Sequence, residues 1–216
     1  MIVLGIDPGT HTGYCLISIT GTKKKKADIY EYGHIDVDTS SQYEGDHNLD
    51  LMSQLQHLIY LHSVDQICVE DYFFSKRFCN GSNVNAAFRT AIHILARQND
   101  IPYTILNISL WKTYIAGRST PTKAQKAKWG KEPAKKLYIQ QALWDNYRIR
   151  FPNHCISKVT NKPIAFRLDI VDVVAQTIYF AKVILKVDDI TISVKCPADI
   201  VYKKPPKKMF IYDSLR

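Results

Sequence analysis

The chain begins with Met1-Ile-Val-Leu-Gly-Ile-Asp-Pro-Gly-Thr-His-Thr-Gly-Tyr-Cys-Leu-Ile-Ser-Ile19, an apolar run that leads a carboxylate into a tight turn. Residues 2–6 have the β-branched, apolar character of a strand that is buried on both faces. The Pro8-Gly9 step ends this strand, so Asp7 lies at its carboxyl end. A second strand is predicted over residues 14–19. The intervening turn brings backbone N–H groups and threonine hydroxyls near Asp7 and is suited to hold a metal or a phosphate.

A second carboxylate cluster ends another apolar strand. Residues 66–71 read Gln-Ile-Cys-Val-Glu-Asp, a short apolar run that finishes with two acids. Parallel strands bring their carboxyl ends to the same edge of a sheet, where open α/β sheets bind ligands. Either Glu70 or Asp71 is therefore expected beside Asp7.

A third pair of carboxylates opens an amphipathic helix predicted over residues 167–181. Asp169 and Asp172 are three residues apart, so both side chains project from the same side of the first turn. A helix N-terminus favours negative charge there by only about 0.3–1 kcal/mol. Ordinary N-terminal capping is the alternative explanation of this pair.

Acidic side chains that converge in a partly buried site need a compensating charge, because each ion is costly to desolvate. Oxygen ligands without Cys or His favour Mg²⁺ or Mn²⁺ over zinc. Two such ions about 3.5–4 Å apart would clamp the attacking and leaving oxygens of a phosphodiester displacement. The pattern predicts a metal-dependent phosphodiester hydrolase that needs no organic cofactor.

The opening of the chain resembles the RuvC-type Holliday junction resolvases of the ribonuclease H-like superfamily. The family pattern, apolar-Gly-Ile-Asp-Pro-Gly-x-x-x-Thr-Gly-Tyr, is matched by residues 4–14, apart from a turn that is one residue shorter. The second acid of the family ends a strand and is followed three residues later by a phenylalanine that probes the junction. These two positions correspond to Glu70 and Phe73.

The later motifs resemble the same family. Its final Asp-x-x-Asp-Ala corresponds to Asp169 and Asp172, with valine in place of the alanine. Its two DNA-contacting lysines correspond to Lys112-x(4)-Gly-x(5)-Lys123. Actin-like and sugar-kinase ATPases also open with an Asp-x-Gly-Thr turn, but they need a duplicated domain with a second such turn, which this chain lacks.

The resemblance implies an Mg²⁺-dependent endonuclease that nicks four-way DNA junctions symmetrically as a homodimer. It implies two ions per active site, with Mn²⁺ able to substitute, and leaves a branch-migration helicase partner open. The catalytic and metal-binding residues would be Asp7, Glu70, Asp169 and Asp172. The DNA-binding residues would be Phe73, Phe74, Lys76, Arg77, Arg89, Lys112, Arg118 and Lys123. The alternatives are a nuclease for other branched DNA or RNA–DNA hybrids and a non-catalytic junction-binding protein; Phe73 or Phe74 would alternatively cover the core.

Positive charge is concentrated in one part of the chain. The net charge is +9, and residues 118–167 hold twelve Lys or Arg side chains against Glu132 and Asp145. A basic segment directly before the last two acids suits a phosphate backbone that is led into a metal site. A solvated lysine-rich helix over residues 132–144 is the alternative explanation.

The elements in chain order predict an α/β fold, a ribonuclease H-like mixed five-stranded sheet flanked by helices. One nuclease domain is expected over residues 1–186, with a basic insertion at about 124–165, followed by a basic C-terminal extension at 187–216. No apolar stretch approaches the roughly 20 residues of a membrane span. We expect an intracellular, non-secreted protein, in the cytoplasm of a bacterium or of a virus- or phage-infected cell, with no membrane partner. The predicted dimer contact is helix 83–97.

Overall fold

The order of the secondary-structure elements follows the sequence prediction closely. The structure, a computed structural model, describes residues 1–71, 79–152, 154–156, 163–165 and 168–194. The described elements are, in chain order, β1 (Ile2–Asp7), β2 (His11–Thr20), β3 (Lys26–Asp36), α1 (Glu44–His62), β4 (Gln66–Glu70), α2 (Cys79–Gln98), β5 (Tyr103–Leu106), α3 (Ile108–Ala116), α4 (Lys123–Trp129), α5 (Lys131–Tyr147), β6 (His154–Ile156), β7 (Pro163–Ala165), α6 (Asp169–Tyr179), a π-helical turn (Phe180–Ile184) and β8 (Asp189–Ile192).

The main sheet is mixed and has the strand order β5-β4-β1-β2-β3-β8. The first three strands form an antiparallel meander. β4 and β5 add in parallel on one side of β1, and β8 adds in parallel beside β3. The ribonuclease H-like α/β class is thereby confirmed.

The prediction of five strands is wrong by one. The sixth strand, β8, is only four residues long and has apolar side chains at Ile190 and Ile192 alone. So short an alternation carries little strand signal in the sequence. Residues 189–192 lie in the predicted C-terminal extension, and in the structure they belong to the sheet.

Each face of the sheet is covered by helices because its strands place apolar side chains alternately on the two sides. On one side, Leu4, Leu16 and Ile67 pack with apolar residues of α1 and α2. On the other side, Val3 and Ile17 pack with α3, α5 and α6. None of the described helices is long and apolar enough to cross a membrane.

The predicted basic insertion contributes folded elements to the second of these layers. A capping box, in which Thr122 and Gln125 bond reciprocally, starts α4. In α5, Tyr138, Ile139 and Leu143 are buried in the core beside α6. The alternative of a solvated helix over residues 132–144 therefore describes only one face of α5, and its other face holds the helix against the sheet layer.

Two glycines allow α6 to lie close to the meander. A Cβ atom on Gly5 of β1 would lie 1.9 Å from the Thr177 hydroxyl oxygen of α6. A Cβ atom on Gly13 of β2 would lie 3.2 Å from both the Asp169 carbonyl oxygen and a Val173 methyl group. Close approach, and not an unusual backbone angle, is therefore the reason for glycine at both positions.

Gly5→Ala should destabilise the protein by about 1–3 kcal/mol, because the added methyl group forces α6 away from β1. Gly45→Ala is the matched control, since a Cβ atom there meets no atom within 4 Å. In the exposed helix α1 that substitution should be neutral or stabilising by up to about 1 kcal/mol. Urea unfolding of both variants measures the difference. Equal stabilities would show that α6 does not depend on the close contact at Gly5.

Candidate active site

Asp7 and Glu70 lie side by side because their strands are parallel neighbours. β1 and β4 pair with Ile6 opposite Val69, so the next residue of each strand reaches the same edge. Burial, together with the Asp172 carboxylate, raises the pKa of Asp7 to about 6. Burial and the charges of Asp7 and Asp172 raise the pKa of Glu70 well above its ordinary value. Hydrogen bonding between the two carboxyl groups lowers the pKa of Asp7 and raises that of Glu70, so it acts in opposite directions on the two acids.

The helix α6 brings the other two acids to this edge. The Gln176 side-chain amide, one turn after Asp172, donates a 2.8 Å hydrogen bond to the carbonyl oxygen of Ile6. This bond ties α6 to the residue that precedes Asp7. Asp172 is 2% exposed, whereas Asp169 lies nearer the surface. Both acids lie in the first turn, and their carboxylates pair with a lysine.

That lysine is Lys136 of α5. Its Nζ atom lies 2.6 Å from Asp172 Oδ2 and 3.1 Å from Asp169 Oδ1. Burial alone would lower the pKa of Lys136, but the carboxylates of Asp172, Asp7 and Asp169 outweigh burial and raise it. Lys136 is therefore a charged group at the centre of the acid cluster, which we define as Asp7, Glu70, Asp169 and Asp172.

Sequence reasoning counted Lys136 as part of the basic segment and did not assign it to the site. One signal was present: Lys136 lies one helical turn before Gln140 and two turns before Leu143, both of which are fully buried. Lys136 thus borders the apolar face of α5. Its neighbour Lys135 lies on the exposed face, where it pairs with Glu132.

A second lysine, Lys112 of α3, approaches the acid cluster from another side. Its Nζ atom lies 3.8 Å from Asp172 Oδ2, the oxygen that Lys136 also contacts. The Lys112 side chain is 18% exposed, so it is largely buried beside the acids. The structure thus places this predicted DNA-binding lysine against the acids.

The structure separates Asp71 from the acid cluster. Asp71 pairs with the guanidinium group of Arg89 from α2. Arg89, a predicted DNA contact, therefore lies beside β4 and is joined to a carboxylate of the chain itself. Of the adjacent acids at the end of β4, Glu70 is the one that lies against Asp7.

Arg118 and Lys123 are exposed on the side of the site that is formed by α3, α4 and α5. A cavity of about 450 Å³ opens between these helices, and its lining includes Arg118, Lys128 and Trp129. Tyr138, which also lines it, has a raised pKa because of burial and the charges of Asp172 and Glu70. The predicted contacts Phe73, Phe74, Lys76 and Arg77 fall outside the described residues.

The donors of the acid cluster match a hard divalent cation. All are carboxylate oxygens, the ligands that Mg²⁺ and Mn²⁺ prefer. Asp172 Oδ1 is buried and has no hydrogen-bond partner among the described residues. A buried oxygen without a partner costs free energy that a cation would recover.

The carboxylates of the acid cluster are not spaced as the ligands of one ion would be. Among the described residues, no three Asp, Glu, His or Cys side chains are close enough to hold one ion as they stand. The Lys136 ammonium lies between Asp169 and Asp172 and contacts both. A divalent ion ligated by Asp172 would therefore compete with Lys136 for the same carboxylate.

Sequence comparison groups the chain with one family. Residues 3–132 match the family described as "Crossover junction endodeoxyribonuclease RuvC". The protein of that name from Dictyoglomus thermophilum is 31% identical over 127 residues, which cover 58% of this chain and 77% of that protein. The protein of the same name from Caldicellulosiruptor saccharolyticus is 33% identical over 130 residues, which cover 58% of this chain and 75% of that protein.

The fold is similar to that of a solved member of the same family. The structure of T. thermophilus RuvC in complex with Holliday junction substrate aligns with a TM-score of 0.56 and 15% sequence identity. The alignment covers 84% of this chain and 95% of that one. At 15% identity this similarity concerns the fold alone. The assignment to a family is therefore based on the sequence matches. The chain belongs to the RuvC family of crossover junction endodeoxyribonucleases.

Proposed function

We propose that this protein is an Mg²⁺-dependent endonuclease that resolves four-way DNA junctions by paired, symmetric nicks. The observation that carries the proposal is the convergence of four carboxylates from β1, β4 and α6 at one edge of the sheet. Burying such a cluster of negative charge costs free energy unless cations compensate the charge. The chain belongs to a family of crossover junction endodeoxyribonucleases, as the sequence resemblance predicted. This membership supports phosphodiester hydrolysis as the reaction.

Asp7, Glu70, Asp169 and Asp172 are the proposed ligands of two Mg²⁺ ions, for which Mn²⁺ would substitute. The ions, when bound, supply Lewis acidity to the phosphoryl oxygens and a more acidic water. The carboxylates fix where that chemistry happens, because two are strand ends and two belong to a helix that is tied to β1. Their raised pKa values show that the metal-free site resists full ionisation.

Cationic side chains beside the acids are proposed to hold the DNA backbone. Lys112 contacts Asp172 of the acid cluster, and Arg118 and Lys123 are exposed beside the cavity between α3, α4 and α5. Arg89 is proposed as a more distant contact near the end of β4. Phosphate contacts of this kind give affinity that falls with salt and carry no sequence information. Phe73 stays the predicted probe of the junction, with Phe74, Lys76 and Arg77 as predicted contacts around it.

A homodimer is proposed because two equivalent nicks on a two-fold junction need two equivalent sites. Helix 83–97, within α2, stays the proposed contact. Of its small residues, Ala91 is 5% exposed and packs within the protomer, so it is not free to contact a partner. Ala86 and Ala87 are half-buried and remain candidates. An intracellular location, in a bacterium or an infected cell, also stays a prediction.

The proposed function is tested by the cutting of a matched set of substrates in Mg²⁺. Four-way, three-way and flap DNA, plain duplex and an RNA–DNA hybrid should be end-labelled on each strand in turn. We expect nicks at symmetric positions on opposite strands of the four-way junction and little cutting of duplex. Preferred cutting of flaps or of the hybrid would replace junction resolution by one of those activities. Binding without any cutting would indicate a non-catalytic junction-binding protein.

Asp7→Asn should abolish cutting of the four-way junction and leave binding intact or tighter, because it removes a metal ligand and lowers repulsion toward phosphate. Asp71→Asn is the matched control, since Asp71 pairs with Arg89 away from the acid cluster and should tolerate the change. Single-turnover cleavage and filter binding measure both. If Asp7→Asn cut within about tenfold of the wild-type rate, a barrier change of only ~1.4 kcal/mol, Asp7 would not belong to the site.

The metal-free protein should be destabilised as the pH rises. The pKa of Asp7 is raised to about 6, and that of Glu70 is also raised, so the folded state binds these protons more tightly than the unfolded chain does. Stability from these groups is therefore full at low pH and is lost as the pH rises through their folded-state pKa values. In EDTA, Asp7→Asn should gain melting temperature relative to wild type at about pH 7.5 and lose most of that advantage at about pH 4, near the ordinary pKa of an aspartate.

Mg²⁺ should raise the wild-type melting temperature at the higher pH, because it binds the folded state, and should raise that of Asp7→Asn less. Thermal unfolding at both pH values, with EDTA and with Mg²⁺, gives the comparison. The same difference between the two proteins at both pH values would mean that Asp7 does not titrate in this range.

A further inference from the structure

Two ammonium groups, not one, converge on the acid cluster. Lys136 Nζ and Lys112 Nζ lie 2.6 Å and 3.8 Å from the same oxygen, Asp172 Oδ2. Lys112 is the first lysine of the family motif. Lys136 is outside that motif and also outside residues 3–132, which match the family. The family resemblance assigns the second motif position to Lys123 instead.

The position of Lys136 is fixed by the packing of its helix. Ala134, Leu137 and Tyr138 flank it on α5 and are buried. The Tyr138 hydroxyl also donates a 2.8 Å hydrogen bond to the carbonyl oxygen of Ser119. Because α5 is held on both sides of Lys136, the Lys136 side chain is directed at Asp172. Of that side chain, 29% remains exposed to solvent. A substrate strand at the acids would therefore meet this ammonium.

Lys123 has a different environment. It is the first residue of α4 and is exposed, at the rim of the structure that surrounds the cavity between α3, α4 and α5. No ion pair in the described part of the chain joins Lys123 to the acid cluster, whereas both Lys112 and Lys136 make one. The two lysines that share the catalytic edge are thus Lys112 and Lys136.

We propose that Lys136 is an active-site residue that binds the scissile phosphodiester, as the partner of Lys112, while Lys123 contacts the backbone farther from the reacting phosphate. This inference rests on the proposed function. An ammonium group at this place attracts the phosphate of the substrate to an otherwise negative site and stabilises charge that develops on its oxygens during hydrolysis. The carboxylates of Asp169 and Asp172 hold the ammonium in place before DNA arrives. No covalent step or proton transfer by Lys136 is involved.

The simpler alternative is that Lys136 only balances the charge of Asp169 and Asp172 so that the protein folds. The two roles predict different results for Lys136→Gln. If Lys136 only balances charge, the variant should melt at a lower temperature in EDTA but cut at about the wild-type rate in saturating Mg²⁺, because the divalent ions then neutralise the acids. If Lys136 binds the scissile phosphate, the variant should cut more slowly even in saturating Mg²⁺, with a metal affinity that is equal or tighter because a competing positive charge is gone.

The test compares Lys136→Gln with Lys135→Gln, a neighbour on the exposed face of the same helix whose partner is Glu132. Single-turnover cleavage of a four-way junction in Mg²⁺ and Mn²⁺ binding without DNA are measured on both, with thermal unfolding as the check on folding. We expect Lys136→Gln to cut about 100-fold more slowly or worse, with Mn²⁺ affinity equal to or above that of wild type. Lys135→Gln should match wild type in both. Lys136→Arg should recover part of the lost rate, because it keeps the charge.

Two results would overturn the inference. Cutting by Lys136→Gln within about threefold of wild type would mean that the scissile phosphate does not need this ammonium. Weaker Mn²⁺ binding by a folded Lys136→Gln protein would show that Lys136 builds the acid cluster. Failure of the proposed function looks different, because wild type would then fail to cut the junction. If wild type prefers another branched substrate, the same comparison of variants on that substrate decides the role of Lys136.

Discussion

The close contact between α6 and the meander is the constraint on which the site depends. Gly5 and Gly13 place no side chain between the strands and the helix at two points of close approach, and the Gln176 side-chain amide donates a hydrogen bond to the carbonyl oxygen of Ile6. The strand-end acids are far in sequence from the helix acids, and the packing of α6 on the meander brings the two groups together. A helix held even one side chain farther away would leave Asp7 and Glu70 without Asp172. Glycine at these two positions therefore allows the acid cluster to form, because it lets α6 approach the strands closely.

The same contact brings carboxylates close together, and α5 supplies a compensating positive charge through Lys136. Asp172 and Glu70 are almost fully buried, and carboxylates that share a buried site disfavour one another's ionisation. The ammonium groups of Lys136 and Lys112, which contact Asp172, relieve this repulsion, and the raised pKa of Glu70 reflects what remains of it. Divalent cations would do so more strongly. The helix α5 thus links the basic segment to the acids directly, in addition to any long-range attraction of DNA.

Local sequence patterns predicted the parts of the site that depend on local structure. Asp7 and Glu70 each follow a short apolar strand, and Asp169 and Asp172 share a helical turn, so their elements and their common edge could be inferred. Lys136 could not be singled out with the same ease. Its role depends on the packing of α5 against α6, a contact between residues 36 positions apart, and Lys135 beside it has the same chemistry on the exposed face. The strand β8 was missed for a related reason, since its pairing with β3 depends on the tertiary structure.

The most direct measurement of the central claim is the position of manganese in a crystal of the protein, located by anomalous scattering. We expect Mn²⁺ to be bound by carboxylate oxygens of Asp7, Glu70 and Asp172, with Lys136 no longer in its 2.6 Å contact with Asp172. Manganese bound elsewhere, with Lys136 still seated between Asp169 and Asp172 in crystals saturated with the ion, would contradict it. The acid cluster would then be a lysine-neutralised structural feature, and the chemistry would have to be sought at another place on the chain.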